Sequence, residues 1–187
     1  MVVGLAGNVV KMKKKIKFGV IGCSEIANSS TIPAILESQN AELEFIGSRT
    51  NSKAKKIARK FGCKKYGSYE EVLKDKEVNV VYISVPIGLH EKWSILAAKA
   101  GKHILCEKSI SDSFKSAKKM VLESKKHNVR IMEGFMFRFH PSIENVLNLL
   151  NKKIIGEVFS FQSRYGFPKI SKKNIRYQKK LGGGILN

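Results

Sequence analysis

The sequence predicts an α/β fold built on a doubly wound parallel sheet. Short apolar runs that suit strands alternate with longer runs that suit helices through the first two thirds of the 187 residues. The run at 78–85 is largely apolar, as expected for a strand that is buried on both faces. Because parallel strands need a crossover, usually a helix, this alternation indicates a parallel sheet covered by helices.

Glycine and serine residues mark where several predicted helices begin and end. Five apolar runs are predicted as strands: 16–21, 42–48, 78–85, 103–106 and 129–132. Five further runs are predicted as helices: 26–37, 52–61, 68–73, 89–100 and 112–127. Gly62 and Gly101 follow two of these helices at the position where a left-handed backbone favours glycine. Ser68 is predicted to cap the third helix, and Ser111 or Asp112 the last one.

The pattern changes after Glu133. Pro141 is predicted to begin a helix at 141–150 that carries one apolar face. Alternating apolar residues at 156–167 predict one long strand, and the polar, basic residues at 171–180 predict a loop. Because a lone strand leaves its edges unpaired, we expect residues 1–140 to be better ordered than the remainder.

Composition excludes a membrane-spanning protein. Apolar residues make up 43% of the chain, and no apolar run reaches the length of a membrane span. Cys23, Cys63 and Cys106 lack the spacing of a metal site and suit buried thiols in a reducing compartment. Residues 1–15 are predicted to be a disordered extension without the order of a secretory signal, so the expected location is cytoplasmic.

The net charge of +20 is compatible with a nucleic-acid or anionic-membrane partner. The lysines are spread along the chain, however, and neither a zinc finger, a basic heptad helix nor an aromatic ribonucleoprotein motif is present. This distribution favours solvated helix faces. A basic nucleic-acid-binding protein is therefore kept only as a minor hypothesis, and we expect neither a specific nucleic acid nor a membrane as partner.

A glycine turn joins the first predicted strand to the first predicted helix. The run Gly22-Cys23-Ser24-Glu25-Ile26-Ala27 matches the dinucleotide fingerprint G-x-G-x-x-G/A, with serine at the second glycine. The free N–H groups and the dipole of the helix start attract a pyrophosphate. The turn predicts a Rossmann-like domain in which Gly22, Cys23, Ser24, Glu25 and Ile26 contact the cofactor. The Ser24 side chain narrows the approach of a phosphate, but its hydroxyl can donate a replacement hydrogen bond.

The end of the second predicted strand bears on the choice of cofactor. An acidic residue at this position would accept hydrogen bonds from the adenine ribose of NAD, but the chain has Ser48, Arg49 and Thr50 there. Arg49 offers a planar fork to a 2′-phosphate, and its neighbours offer hydroxyl groups. These residues favour NADP over NAD. The alternative is a solvated arginine at the end of a strand.

Four segments, in the same order along the chain, resemble the Gfo/Idh/MocA oxidoreductases, a family named for glucose–fructose oxidoreductase and inositol dehydrogenase. The segments are 18–27, 80–90, 105–109 and 132–141. The second is similar to the family's strand that leads to a Pro-Asn-x-x-His turn, and the third to its Glu-Lys-Pro. With the terminal glycine triplet included, the resemblance covers about residues 16–187. Within the family, the sequence resembles most the branch of the dihydrodiol and sugar dehydrogenases.

The resemblance implies two units. Residues 16–133 would form the dinucleotide-binding Rossmann domain, and residues 134–187 the incomplete opening of an α+β substrate and dimerisation domain. Family members are longer, and a segment after their glycine triplet carries a His or Tyr that lines the substrate pocket. We therefore expect this sequence to be truncated, to bind NADP (or NAD), and to turn over poorly or not at all.

The resemblance also implies roles for individual residues. Lys108 would reach the reacting oxygen of the substrate while Glu107 helps to hold the lysine and the cofactor, because an ammonium group stabilises a developing alkoxide. Pro86 and His90 would lie against the ribose and nicotinamide side, with capping of the next helix as the alternative role of His90. Arg138 would lie near the cofactor at the domain junction, where a structural salt bridge is the alternative.

Ser109 departs from the family's proline after the lysine. A cis bond before a residue other than proline costs roughly 3 kcal/mol or more. If the aim of Lys108 depends on a cis Lys108–Ser109 bond, replacement of the proline by Ser109 therefore weakens that aim.

The leading hypothesis is an NAD(P)-dependent oxidoreductase that moves a hydride to or from a carbon of a sugar, cyclitol or dihydrodiol. Its partners would be a small sugar-like or polyol substrate and, in a full-length protein, a second copy paired through the C-terminal sheet. We expect no metal. The alternative from another functional class is a non-catalytic dinucleotide-binding remnant or regulatory module.

Overall fold

The computed structural model describes residues 15–164 together with Gly166, Asn174, Tyr177 and Gln178. Six strands of this part form one sheet: β1 (Ile16–Ile21), β2 (Ala41–Gly47), β3 (Lys65–Gly67), β4 (Val80–Ile83), β5 (His103–Cys106) and β6 (Ile131–Glu133). All neighbours pair in parallel, in the order β3-β2-β1-β4-β5-β6. The strand order therefore reverses between β1 and β4, which confirms the predicted doubly wound sheet.

Helices connect the strands, and the described part of the chain contains six α-helices. They are α1 (Ile32–Glu37), α2 (Asn51–Phe61), α3 (Tyr69–Lys74), α4 (His90–Lys99), α5 (Phe114–Lys126) and α6 (Pro141–Asn151). A π-helical turn at Ala27–Thr31 leads into α1, and 3₁₀ turns at Ile87–Leu89 and Met136–Phe139 precede α4 and α6. Gly62 and Gly101 have φ of 69° and 70°, as predicted for residues that close a helix.

The sequence-based boundaries need two corrections. Strand β3 was not predicted, because its three residues are too few to establish a periodicity. Helix α5 begins at Phe114, and its cap is Ser113, whose Oγ accepts the N–H of Ser116 at 3.3 Å. The predicted caps Ser111 and Asp112 are therefore wrong. Ser111 instead makes hydrogen bonds with the backbone of Ser113.

The predicted strand at 156–167 is wrong over the residues that the structure describes. Residues 158–164 form no strand. Alternating apolar residues produce a strand only when a neighbouring strand accepts and donates the ladder of hydrogen bonds, and none pairs with this segment within the described chain. Tyr165, Phe167, most of the predicted loop at 171–180 and the first fourteen residues of the predicted extension lie outside the described residues.

Both faces of the sheet are covered by helices. On one face α3, α4 and α5 pack through residues such as Val72, Trp93 and Met120, and on the other face α1 and α2 pack through Ile32 and Ala58. The carboxyl ends of β1 and β4 are left between the two helical layers, where ligands bind in sheets of this type. Within residues 15–164, no helix has both the length and the apolar character that a membrane crossing needs.

Candidate functional site

Two cavities lie at the carboxyl ends of β1, β2, β4 and β5. The first has a volume of about 540 Å³ and brings together residues 22–25 and 48–50, which the sequence predicts as cofactor-binding. The second, of about 210 Å³, is lined by Ile26, His90, Glu107 and Lys108 among others. Ser24, Ser84, Val85 and Pro86 line both cavities. The predicted phosphate turn and the predicted catalytic pair therefore lie in adjoining spaces.

Gly22 makes the turn between β1 and the helix. Its φ is 104°, and a Cβ at this position would lie 3.0 Å from the backbone carbonyl of Ser84. The Ser84 hydroxyl donates a hydrogen bond to the Gly22 carbonyl at 2.8 Å, and the Gly22 N–H donates to the Gly47 carbonyl at 3.2 Å. The turn is thus fixed to both neighbouring strands, and only glycine fits it.

Ser24 lies at the start of the helix beside the first cavity. Its Oγ accepts the N–H of Ala27 at 3.1 Å. Because a hydroxyl both accepts and donates, this bond leaves the Ser24 O–H able to donate to a phosphate oxygen. Cys23 is buried beside it, its thiol 3.7 Å from the Gly47 carbonyl, and burial raises the pKa of this thiol. Glu25 is exposed at the rim.

The far end of the first cavity is basic. Ser48 is buried at the end of β2, whereas Arg49 and Thr50 are exposed and line the cavity. Lys53, on the first turn of α2, joins them. Two cationic side chains and two hydroxyl groups therefore line the cavity together. Among the described lining residues the one carboxylate is that of Glu25, at the helix start.

His90 is buried, with 1% of its surface exposed. Its Nε2 lies 2.8 Å from the Val85 carbonyl, and its Nδ1 lies 3.0 Å from the Ser109 carbonyl and 3.3 Å from that of Ile110. It makes no capping hydrogen bond to α4, so the alternative role as a helix cap is wrong. The ring thus joins the loop after β4 to the turn after β5. Pro86, in the same loop after β4, lines both cavities.

Glu107 is held by a tyrosine from the neighbouring strand. The hydroxyl of Tyr82, on β4, donates to Glu107 Oε1 at 2.6 Å. Burial, followed by the hydrogen bond to Glu107, raises the pKa of Tyr82. The other carboxylate oxygen accepts the backbone N–H of Lys108 at 3.2 Å. The Glu107 carboxylate therefore has a fixed orientation at the end of β5.

Lys108 lines the second cavity and is exposed. The Lys108–Ser109 peptide bond is cis. The effect of Ser109 on the aim of Lys108 stays a prediction. Within the described residues, Lys108 forms no salt bridge to a carboxylate.

Arg138 is not brought into this arrangement. It lies on the exposed 3₁₀ turn at Met136–Phe139, and it is absent from the described lining of both cavities. Its cofactor contact stays a prediction.

Several residues of the site were not predicted from the sequence, and three of them bear on its chemistry. Ser84 fixes Gly22, Lys53 adds a cation beside Arg49, and Tyr82 orients Glu107. Ser84 carried a usable signal, because it follows a strand whose carboxyl end meets that of β1. Tyr82 carried none, because an aromatic residue inside an apolar strand is normally assigned to the core.

The geometry agrees with what known proteins show. The family model GFO_IDH_MocA, described as an oxidoreductase family with an NAD-binding Rossmann fold, matches residues 16–135. The dTDP-3,4-didehydro-2,6-dideoxy-alpha-D-glucose 3-reductase of Actinomadura kijaniata is 34% identical over 171 residues, which are 91% of this chain and 52% of that protein. The D-xylose 1-dehydrogenase (NADP(+)) 2 of Haloferax volcanii is 36% identical over 90% of this chain and 52% of its own length.

A solved structure gives the same result in three dimensions. KijD10, a 3-ketoreductase from Actinomadura kijaniata crystallised with NADP and TDP-benzene, superimposes with a TM-score of 0.86 at 34% sequence identity. The match covers 91% of this chain and 53% of that one. The chain thus spans about half the length of the curated relatives that it matches.

Proposed function

Since the chain belongs to the Gfo/Idh/MocA oxidoreductases and contains their NAD-binding Rossmann fold, we propose that it binds NADP and serves hydride transfer at a carbonyl or hydroxyl carbon of a sugar-like substrate. The observation that carries the proposal is the pair of adjoining cavities. One contains the glycine turn and a basic end, and the other contains Glu107 and Lys108. The relatives named above act on sugars or a sugar nucleotide, which supports this substrate class.

The residues of the first cavity fit a dinucleotide. The backbone at Gly22 has no Cβ to fill the turn, and the helix start beside it offers N–H groups to a pyrophosphate. We propose that Arg49 and Lys53 bind the 2′-phosphate of NADP, with Ser48 and Thr50 as hydrogen-bond donors. The phosphate would be matched by two positive charges, whereas the adenine ribose of NAD would find no acidic partner at residues 48–50.

The residues of the second cavity fit the nicotinamide end of the cofactor and the reacting group of the substrate. When bound, the reduced cofactor supplies the hydride. We propose that the Lys108 ammonium faces the substrate oxygen, donates a hydrogen bond to it and stabilises the negative charge that develops there. Glu107, held by Tyr82, would fix the backbone at Lys108 and hold the cofactor.

A cofactor titration tests the proposal. We expect NADPH to bind more tightly than NADH, measured by nicotinamide fluorescence with the 187-residue chain. Arg49→Ala should weaken NADPH binding about tenfold to a hundredfold, because it removes a charge-assisted contact, and should leave NADH binding unchanged. Arg59→Ala removes the same charge from the exposed surface of α2 and serves as the control.

Equal affinity for the two cofactors, or an equal loss of both in the Arg49 variant, would refute the NADP assignment. Absence of binding to either would refute the function. Turnover is measured separately with NADPH and a panel of ketosugars. Tight binding without turnover would support the alternative of a non-catalytic module.

A further inference from the structure

The turn that carries Lys108 is bound by two side chains from other elements. Glu133, the last residue of β6, accepts the N–H of Ile110 through Oε1 at 2.7 Å. His90, the first residue of α4, faces the Ser109 and Ile110 carbonyl oxygens through Nδ1. The backbone that follows Lys108 is therefore held on its N–H side by a carboxylate and on its carbonyl side by an imidazole.

The sheet places Glu133 where it can do this. Strands β5 and β6 are parallel, with Cys106 opposite Glu133, so both end at the edge of the sheet where the turn begins. The N–H of Gly134 donates to the Cys106 carbonyl at 2.7 Å, which keeps the chain close beyond the last pair of the ladder. A Cβ on Gly134 would lie 3.3 Å from that carbonyl and 3.6 Å from Glu107 Oε1. The end of β6 is thus packed against the start of the Lys108 turn.

We propose that Glu133 is a positioning residue that orients Lys108 through Ile110. A hydrogen bond from a backbone N–H to a carboxylate is stronger than one between neutral groups. Here it joins the turn to the sheet only two residues after Lys108. The buried His90 ring supports the same turn through its contacts with the Ser109 and Ile110 carbonyl oxygens. The role of Lys108 rests on the proposed function, but the contact between Glu133 and the turn does not.

Two spectroscopic readouts test this in the intact chain without cofactor. The first is hydrogen exchange of the Ile110 amide, followed by NMR. The second is the resonance of Lys108 after ¹³C-dimethylation of the lysines, assigned with Lys108→Arg. In Glu133→Ala the Ile110 amide should exchange about tenfold or more faster, and the Lys108 resonance should move. Resonances of lysines on α2 and α5 should not move.

Two further variants separate positioning from a general loss of stability. Glu133→Gln keeps an oxygen acceptor of the same reach and should restore both readouts toward the wild type. Glu133→Asp keeps the charge but is one methylene shorter, and it should behave like Glu133→Ala. Glu144→Ala, which removes a carboxylate from α6, is the matched control and should change neither readout. If Glu133→Ala fails to fold, the comparison of Asp with Gln still decides the question.

The inference is overturned if Ile110 exchange and the Lys108 resonance are the same in the wild type and in the Asp and Ala variants. Movement of all lysine resonances together would also overturn it, because that indicates a structural role only. An NADPH titration of the same samples separates the two ideas. Failure of the wild type to bind NADPH refutes the proposed function, while the readouts without cofactor still decide the role of Glu133.

Discussion

The backbone at Gly22 disfavours any residue with a side chain, for two reasons. Its φ of 104° is rarely adopted by other residues, and a Cβ at this position would lie only 3.0 Å from the Ser84 backbone. The carbonyl of Gly22 also accepts the Ser84 hydroxyl. A change at this residue therefore affects both the turn and the neighbouring strand β4.

We predict that Gly22→Ala lowers the free energy of unfolding by about 2–3 kcal/mol and removes detectable NADPH binding, because strain and a steric clash add together. Urea unfolding and a fluorescence titration measure the two effects. Gly62→Ala is the control, since Gly62 has φ of 69° but open space around it. It should cost about 1 kcal/mol and leave cofactor affinity intact. An equal loss of stability in both variants would show that the clash with Ser84 contributes nothing.

At the scale of elements, helix α3 depends on its first turn. Ser68 Oγ accepts the Glu71 N–H at 3.2 Å, and the Glu71 carboxylate accepts the Ser68 N–H at 2.6 Å. This reciprocal pair is a capping box, and it satisfies two N–H groups that the helix itself cannot. The hydrogen bonds from Ser68 lower the pKa of Glu71 below its ordinary value of 4.5.

The capping box predicts a dependence of stability on pH. Because the pKa of Glu71 is lower in the folded chain, its contribution is complete above pH 4.5 and is lost as the pH falls through the folded value. Thermal unfolding between about pH 7 and pH 3 should show a smaller acid-induced decrease in Glu71→Gln than in the wild type. Glu70→Gln, one residue earlier on the same turn, should keep the decrease of the wild type. Identical pH profiles for both variants would contradict the prediction.

Strand formation shows how far an element depends on its neighbours. The runs that became β1, β2, β4 and β5 were predicted within a few residues, and each has a parallel partner on both sides. Residues 156–164 belong to a run that was also predicted as a strand, but within the described chain they have no partner and form no strand. Lys65–Gly67 is a strand only because it pairs with the end of β2.

For the whole molecule, the charge of +20 predicts weak binding to any polyanion. We expect the chain to bind duplex DNA at about 50 mM salt and to lose most of that affinity by about 200 mM, because release of counterions drives such binding. Fluorescence anisotropy with two unrelated duplexes measures both the salt dependence and any sequence preference. Binding that persists at the higher salt concentration, or that favours one duplex, would contradict this prediction and support the hypothesis of a nucleic-acid-binding protein.

The sequence by itself determined the order of the elements from β1 to α6 except for β3, together with the glycine turn and the family. These depend on local features: apolar periodicity, Gly22 at a turn, Gly62 and Ser68 at helix ends, and the Glu107–Lys108 pair after a strand. Each is encoded within a few consecutive residues, so each can be recognised before the chain is folded.

Only the tertiary structure decided which side chains meet across strands. Four side-chain contacts join residues that are 19 to 62 positions apart in the sequence. They are Tyr82 with Glu107, Ser84 with Gly22, Glu133 with Ile110, and His90 with the Ser109 carbonyl. It also decided that Lys108–Ser109 is cis and that residues 158–164 form no strand. The physical reason is that a hydrogen bond between distant residues depends on the register between strands. The hydrophobic pattern and the pairing of the strands set this register together, so no single segment of the sequence specifies it.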